Sequence, residues 1–448
     1  MIQKMKDKLS LYMNDSRFKD ILFGSLYTTL AKVVAMVIGL VTSIIGARYY
    51  GADMVGFSMI ISSILGIGAI LSISGLTTAM LQIIPEYITK SSEHISWSIY
   101  NKILYLMILV TIVVSTIYYF LSGAIAKYMF HNPELGFFIA LSSGILIFRA
   151  VYDLNAAKIR LLGELKLYAL FQVLPKIFTF ILLLVLTFFF FNKYNLVYIV
   201  FSMPVIMTII SSVYLYKYKK SQPVDTTEKM IDLPKNKTIF SIAFPMLVTS
   251  GMFLLIAQTD IIMLGMYRPT SEVGIYSVVL GLLLLITFVI NSIEVISGPK
   301  FSKLFAEKNF DELKYVARKS SQLAFFVSLP LIMVLLVFGE WILSIYGEEF
   351  MYGYTALLIL LAGQFVSSIV GPAGYFLDMT GYQKAFRNIV LMAGALNIVL
   401  NYILIPSYGI TGAAIASFSS VFVWKVGTSL YIKKVFGFYI IYNPFATK

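Results

Sequence analysis

Apolar residues run along almost the whole chain in stretches long enough to cross a bilayer, interrupted by short polar clusters. A helix needs about 20 mainly apolar residues to span the hydrocarbon core. Backbone groups in lipid must find hydrogen-bond partners within the same segment, so each stretch predicts a helix. Twelve spans result, near residues 21–47, 55–84, 100–124, 135–157, 167–191, 195–216, 239–267, 273–298, 320–345, 351–377, 387–406 and 409–432. An even number places both termini on one side of the membrane.

The longest polar interval follows the sixth span and carries Pro223, Pro234 and mixed charges, the pattern of a linker. The expected organisation is a basic N-terminal segment (1–20), a six-helix bundle (21–216), a linker (217–238), a second six-helix bundle (239–432) and a tail (433–448). The halves resemble one another. Val55-Gly56-Phe57-Ser58 opens the second span as Val273-Gly274-Ile275-Tyr276-Ser277 opens the eighth, and Pro85 and Pro299 close them. Six helices per half give a parallel pseudo-twofold repeat about the membrane normal, a plan that transporters use with the cargo site between halves.

Composition strengthens this reading. Hydrophobic residues make up 59% of the 448, only 13% are charged, and mean hydropathy is +0.85, too little polar surface for a soluble globule. The net charge of +13 is explained by its placement. With a cytoplasmic N-terminus, the inner segments hold 27 of the 35 Lys and Arg; the outer loops hold only Arg48, Lys127, Lys193 and Arg268. That is the asymmetry of a multi-pass protein of the cytoplasmic membrane with both termini inside, and it needs no nucleic-acid partner. The basic N-terminus leads into a first helix without a small-residue cleavage site, so that helix is expected to stay in the mature protein.

Several chemistries drop out. The absence of cysteine and the presence of only two histidines, His94 and His131, exclude disulfides and the usual zinc clusters. No nucleotide-binding loop of the G-x-x-x-x-G-K-[ST] type occurs. No metal, cofactor or catalytic residue is assigned. A membrane glycosyltransferase or polymerase would need positioned carboxylates at the outer face, where the only acidic pair is Glu348-Glu349.

What remains is a set of ionisable groups inside apolar spans, where charge is costly and normally faces a partner or an aqueous cavity. Lys32, Lys176 and Lys425, with Arg149 as a candidate fourth, outnumber the carboxylates at mid-membrane depth and suggest an anionic cargo, which a cationic groove would relieve of its desolvation cost. Arg149 and Asp153 are four residues apart and could neutralise each other. Lys176 follows Pro175 and could bond carbonyls freed by a kink. Asn397 and Asn401 share a helix face, as do Asn291 and Glu294; such pairs serve as interhelical glue as often as cargo contacts.

Ala47-Arg48-Tyr49-Tyr50-Gly51 with Val55-Gly56-Phe57, then Phe244-Pro245, Gln258-Thr259-Asp260 and Gly274-Ile275-Tyr276-Ser277, and the basic segment from Lys158 to Lys166, resemble in order the patterns of Wzx-type polysaccharide flippases. These belong to the multidrug/oligosaccharidyl-lipid/polysaccharide (MOP) exporter superfamily. The chain departs from the pattern at Tyr50 and Ile261. The resemblance implies an all-α, MATE-like membrane fold. It also implies a non-enzymatic flippase that carries a polyprenyl-diphosphate-linked oligosaccharide to the outer leaflet for capsule, O-antigen or exopolysaccharide synthesis, among membrane lipids and other polysaccharide-assembly proteins. Arg48 and Asp260 are the positions it marks as functional. The cavity set is therefore Lys32, Arg48, Arg149, Lys176, Asp260 and Lys425, with Asp260, Glu294 and Asp153 as candidate carriers of a coupling H⁺ or Na⁺. The alternatives are a cation-coupled multidrug antiporter of the same superfamily, which would prefer cavity carboxylates, and the glycosyltransferase or polymerase.

Overall fold

In the computed structural model the described residues, 16–88, 93–221 and 233–442, form helices joined by short turns, with no strand among them. The first lysines of the basic N-terminus, residues 222–232 of the expected linker, and the last six residues lie outside that set. The helices are α1 (Ser16–Ile73), α2 (Leu76–Ile88), α3 (Glu93–Ala124), α4 (Glu134–Leu161), α5 (Leu165–Phe189), α6 (Asn195–Ser221), α7 (Asn236–Tyr267), α8 (Thr270–Ala306), α9 (Phe310–Tyr346), α10 (Tyr354–Val370), α11 (Ala373–Met379) and α12 (Gln383–Phe436).

Among the described residues nine helical segments are long and apolar enough to cross a membrane, which makes the chain a multi-pass membrane protein. Two of them, Leu30–Tyr87 and Gln383–Phe436, have 58 and 54 residues. At about 1.5 Å per residue each far exceeds one crossing. They are kinked at Gly51 (φ 72, ψ 172) and Gly409 (φ 53, ψ −131), and Leu30–Tyr87 is broken again at Ser74 and Gly75 (φ 49 and 71). Positive φ is open to glycine because it has no Cβ. The polar intervals expected as loops between spans 1 and 2 and between 11 and 12 are therefore sharp bends in continuous helix. Further breaks fall inside the expected second span, where Ser74 and Gly75 separate α1 from α2, and inside the expected tenth, where Gly371 and Pro372 separate α10 from α11.

The chain divides into two compact units, Met1–Ser43 with Ile64–Gly251, and Ile44–Ser63 with Met252–Lys448. Helices in lipid gain little from burying apolar side chains, since the tails are as apolar as leucine, and depend on close packing and hydrogen bonds. The first unit shows both. Around a core that includes Ile84, Ile99, Ile103, Leu154 and Ile239, Asn155 accepts from Tyr100 Oη at 2.5 Å and donates to Ser211 and Ser212 at 2.9 Å each. Lys158, which the sequence places in an inner basic segment, is fully buried; its ammonium donates to Ser96 and lies 4.4 Å from the centre of the Trp97 ring. In the second unit the chain turns back after α12, so that Phe438 and Ile440 join a core with Phe301, Leu313, Phe376 and Ile432, and Tyr442 N donates to Ile369 O at 3.0 Å.

Candidate functional site

The densest polar site lies in the second unit, around Asp260 of α7. The residue is 6% exposed. Its Oδ2 accepts from Tyr276 Oη (2.8 Å, α8) and Ser417 Oγ (2.5 Å, α12); its Oδ1 accepts from Asn401 Nδ2 (2.7 Å) and Asn397 Nδ2 (3.3 Å), both on α12. Asn401 Nδ2 also donates to Asn397 Oδ1 at 3.1 Å, which the shared helix face of the two asparagines makes possible. Four neutral donors hold one carboxylate, and none of its hydrogen-bond partners is a cation. Hydrogen bonds to a charged group contribute about 1.5–3 kcal/mol each, enough to tie α7, α8 and α12 together. The buried Asn401 Oδ1, beside the carboxylate, has no partner among the described residues.

The other sequence-selected groups fall into three environments. Lys32 and Lys176, in the first unit, have exposed side chains with no hydrogen bond or ion pair among the described residues. Arg149 and Asp153 pair at 3.0 Å, Arg149 about half exposed; the i, i+4 spacing has done what it predicts. Lys425 is 3% exposed and donates to Gly371 O at 2.9 Å, satisfying the carbonyl that follows α10 where Pro372 prevents the helix from continuing. Glu294 is partly buried within electrostatic reach of Lys425 and Asp378. Asp378 lies beyond the C-terminal end of its span, and burial pushes its carboxyl up to about 6.

Arg48 has a different partner from the one its place in the sequence suggests. Its Nε donates to Ile345 O at 2.6 Å, near the C-terminus of α9, where free carbonyls attract a cation. Beside it, Glu349 Oε1 accepts from Ala52 N at 2.7 Å and so caps the helix that restarts after Gly51. Glu272 serves the other bend in the same way: one oxygen accepts from Ile410 N at 3.2 Å, after Gly409, and the other pairs with Arg268 at 2.6 Å. That bond holds the Arg268 guanidinium above its usual range. Sequence reasoning missed Tyr276, Ser417, Glu272 and Glu349. Their partners lie 16, 157, 138 and 297 residues away, so that even Tyr276, inside the Gly274–Ser277 pattern, gives no sign of its partner.

A family model described as "Polysaccharide biosynthesis protein" matches residues 47–353. The chain belongs to that family. The matched region of this polysaccharide biosynthesis protein includes Arg48, Arg149, Asp153, Lys176, Asp260 and Glu294, whereas Lys32, Lys425 and the α12 partners of Asp260 lie outside it. Among curated relatives, the capsular polysaccharide biosynthesis protein CapF of Staphylococcus aureus is 26% identical over 207 residues, 46% of this chain and 52% of CapF. The probable low-salt glycan biosynthesis flippase Agl15 of Haloferax volcanii is 23% identical over 195 residues, 43% of this chain and 41% of Agl15. The matched part thus spans about half the length of these relatives.

Two solved structures place the fold. The lipid II flippase MurJ in an inward closed conformation superposes with a TM-score of 0.74 at 13% identity, over 91% of this chain and 87% of that one. An inward-facing multidrug resistance MATE family transporter of the MOP superfamily gives 0.70 at 11% identity, over 90% and 94%. The family member therefore has the all-α MOP fold expected from its sequence.

Proposed function

We propose that the chain carries a polyprenyl-diphosphate-linked oligosaccharide from the inner to the outer leaflet of the cytoplasmic membrane by alternating access, leaving the bonds of the cargo unchanged. The observation that carries this reading is the pair Lys32 and Lys176, two cations in apolar helices with exposed side chains and no carboxylate partner among the described residues. A cation in that position is costly unless it meets an anion or water. A diphosphate headgroup supplies the anion while its lipid tail stays in the bilayer. Arg149, tempered by Asp153, and Arg48 complete the cationic set. Membership of the polysaccharide biosynthesis family, relatives named as flippases, and a fold shared with a lipid II flippase support the same cargo class.

Twelve spans in two six-helix bundles, with both termini cytoplasmic and residues 217–238 as linker, are the architecture we assign to it. Asp260 is the group we assign to ion coupling. A buried carboxylate held only by neutral donors can exchange its missing positive partner as H⁺ or Na⁺, and the unpartnered Asn401 Oδ1 provides a further oxygen beside it. Glu294 and Asp153 are secondary candidates, because Lys425 and Arg149 already face them. Other polysaccharide-assembly proteins would supply the cargo and remove the product.

The test is reconstitution in liposomes with a fluorescent polyprenyl-diphosphate oligosaccharide, scoring its arrival in the opposite leaflet. Movement that Lys32→Ala and Lys176→Ala reduce supports the assignment. Movement of organic cations with none of the lipid would replace it with the multidrug antiporter.

A further inference from the structure

The broken end of α10, in the second unit, exposes carbonyls that find their partners on three different elements. Ser321 Oγ of α9 donates to Val370 O (3.0 Å), Lys425 Nζ of α12 to Gly371 O (2.9 Å), and Tyr442 N, on the segment after α12, to Ile369 O (3.0 Å). The last carbonyls of a helix need such partners. Two of these caps ride on long helices, whereas the third belongs to a strap, residues 437–442. Gly437 (φ 76) turns the chain back, and side chains then alternate between buried and exposed, the pattern of an extended segment. Phe438 and Ile440 enter the core beside Phe301 and Phe376, and the Tyr442 ring lies 5.3 and 5.5 Å from the rings of Phe325 and Phe326 on α9.

The exposed edge of the strap is held by cations. Arg318 Nε of α9 donates to Tyr439 O (3.2 Å), and Lys433 Nζ of α12 donates to Tyr439 Oη (2.7 Å). Lys319 and Lys434 adjoin them in the chain, Lys319 bonded to the neutral Gln322 (2.9 Å). All four are exposed, and none has a carboxylate partner among the described residues. Four positive charges thus gather around one neutral tyrosine. A phosphate oxygen is a stronger acceptor for Arg and Lys than a carbonyl or a phenol. Leu323 and Phe326 of α9, 52% and 53% exposed, border the cations with apolar surface suited to an acyl chain.

We propose that this cationic rim binds the headgroup phosphate of an anionic membrane phospholipid, and that occupancy releases the strap from α10. A bound headgroup withdraws Arg318 and Lys433 from Tyr439, Tyr442 then leaves Ile369 O, and the break at Gly371 and Pro372 is free to flex. The strap is a brake set by the charge of the surrounding leaflet. In the topology assigned above, both basic pairs flank the cytoplasmic ends of their spans, where anionic headgroups attract juxtamembrane lysines and arginines. The effect on export rests on the flippase reading; the binding does not.

The full chain, which contains no natural cysteine, takes spin labels at Leu323→Cys and Ile441→Cys in liposomes. Phosphatidylcholine alone should give one short distance. Phosphatidylglycerol should add a longer population that shrinks as salt is raised, and lipid export by the wild-type chain should rise with it. Lys319→Gln with Lys434→Gln, which keeps both bonds to Tyr439, should lose most of the response, while Arg318→Ala with Lys433→Ala should show the longer distance in either lipid. A single distance with phosphatidylglycerol overturns the proposal, as does an undiminished response in the Lys319 and Lys434 variant or a strap still docked in the Arg318 and Lys433 variant. Equal release by inorganic phosphate, or by the polyprenyl diphosphate in phosphatidylcholine, would assign the site to a free anion or to the cargo and overturn the phospholipid. A strap that moves while export stays level overturns the brake. A strap that responds in a protein exporting no lipid diphosphate leaves the site standing and overturns the flippase reading alone.

Discussion

Lys176 and Lys425 are the same residue type, each within an apolar helix, one in either compact unit, and the structure treats them oppositely. Lys176 is exposed with no partner among the described residues, whereas Lys425 is buried against the carbonyl of Gly371. The contrast extends to their neighbours. In the first unit Lys32 is exposed and Arg149 is half exposed; in the second, Asp260 is enclosed by four donors and Arg48 is bonded to a helix end. Charge inside a membrane span is thus either left free of protein partners or fastened by them, and fastening by neutral donors still leaves Asp260 open to the ion coupling proposed for it. Residue type does not distinguish the two; burial and partner do.

The sharpest test of the fastened class is Asp260→Ala. It strands the donors of Tyr276, Asn397, Asn401 and Ser417, and a buried donor left unsatisfied costs about 1–3 kcal/mol; a fall in melting temperature in detergent and loss of membrane-inserted protein are expected. Lys32→Ala and Lys176→Ala should do the reverse. Melting stays where it was, while export falls about 10–100-fold, equivalent to one charge-assisted bond of about 1.5–3 kcal/mol to a phosphate. A melting loss comparable to that of Asp260→Ala would move those lysines to the fastened class.

Lys425→Ala leaves the Gly371 carbonyl unpaired and opens a cavity, for about 1–3 kcal/mol of lost stability with export per folded molecule retained. Export lost at full stability would make it a cargo ligand instead. The smallest effect concerns Asp378. Burial raises its carboxyl from 3.8 to about 6, so the folded chain binds the proton more tightly than the unfolded chain. Its contribution is complete at acid pH and is lost as pH rises between those values. Asp378→Asn should therefore raise the melting temperature at neutral pH and leave it nearly unchanged at about pH 4; equal gains at both would assign the effect to packing.

The all-helical, multi-pass character was legible because a bilayer imposes length and polarity on every segment that crosses it, and this holds locally. Arg149 with Asp153, and Asn397 with Asn401, were legible for a similar reason: three- and four-residue spacing fixes a shared face before any tertiary structure exists. The company of Asp260 was not. Tyr276 and Ser417 reach it from other helices; the pattern around Tyr276 marked its segment but not its partner, and nothing around Ser417 distinguishes it from many serines. Interruptions near Gly51 and Gly409 were expected, but their form as single-residue bends was hidden, because a glycine looks the same in sequence whether its φ is negative or positive. Arg48 was read from sequence as a cargo contact, and its partner is a main-chain oxygen 297 residues away that no side-chain pattern could reveal.

The boundary between the two compact units cuts through helices instead of loops. It divides α1 at Ser43 and again at Ser63, and α7 at Gly251. Melting either unit alone would have to fray two continuous helices in mid-course, breaking i to i−4 bonds that lipid cannot replace. The two units should accordingly lose their structure together, as one calorimetric endotherm with matching van't Hoff and measured enthalpies, although the chain is long enough to be read as two domains.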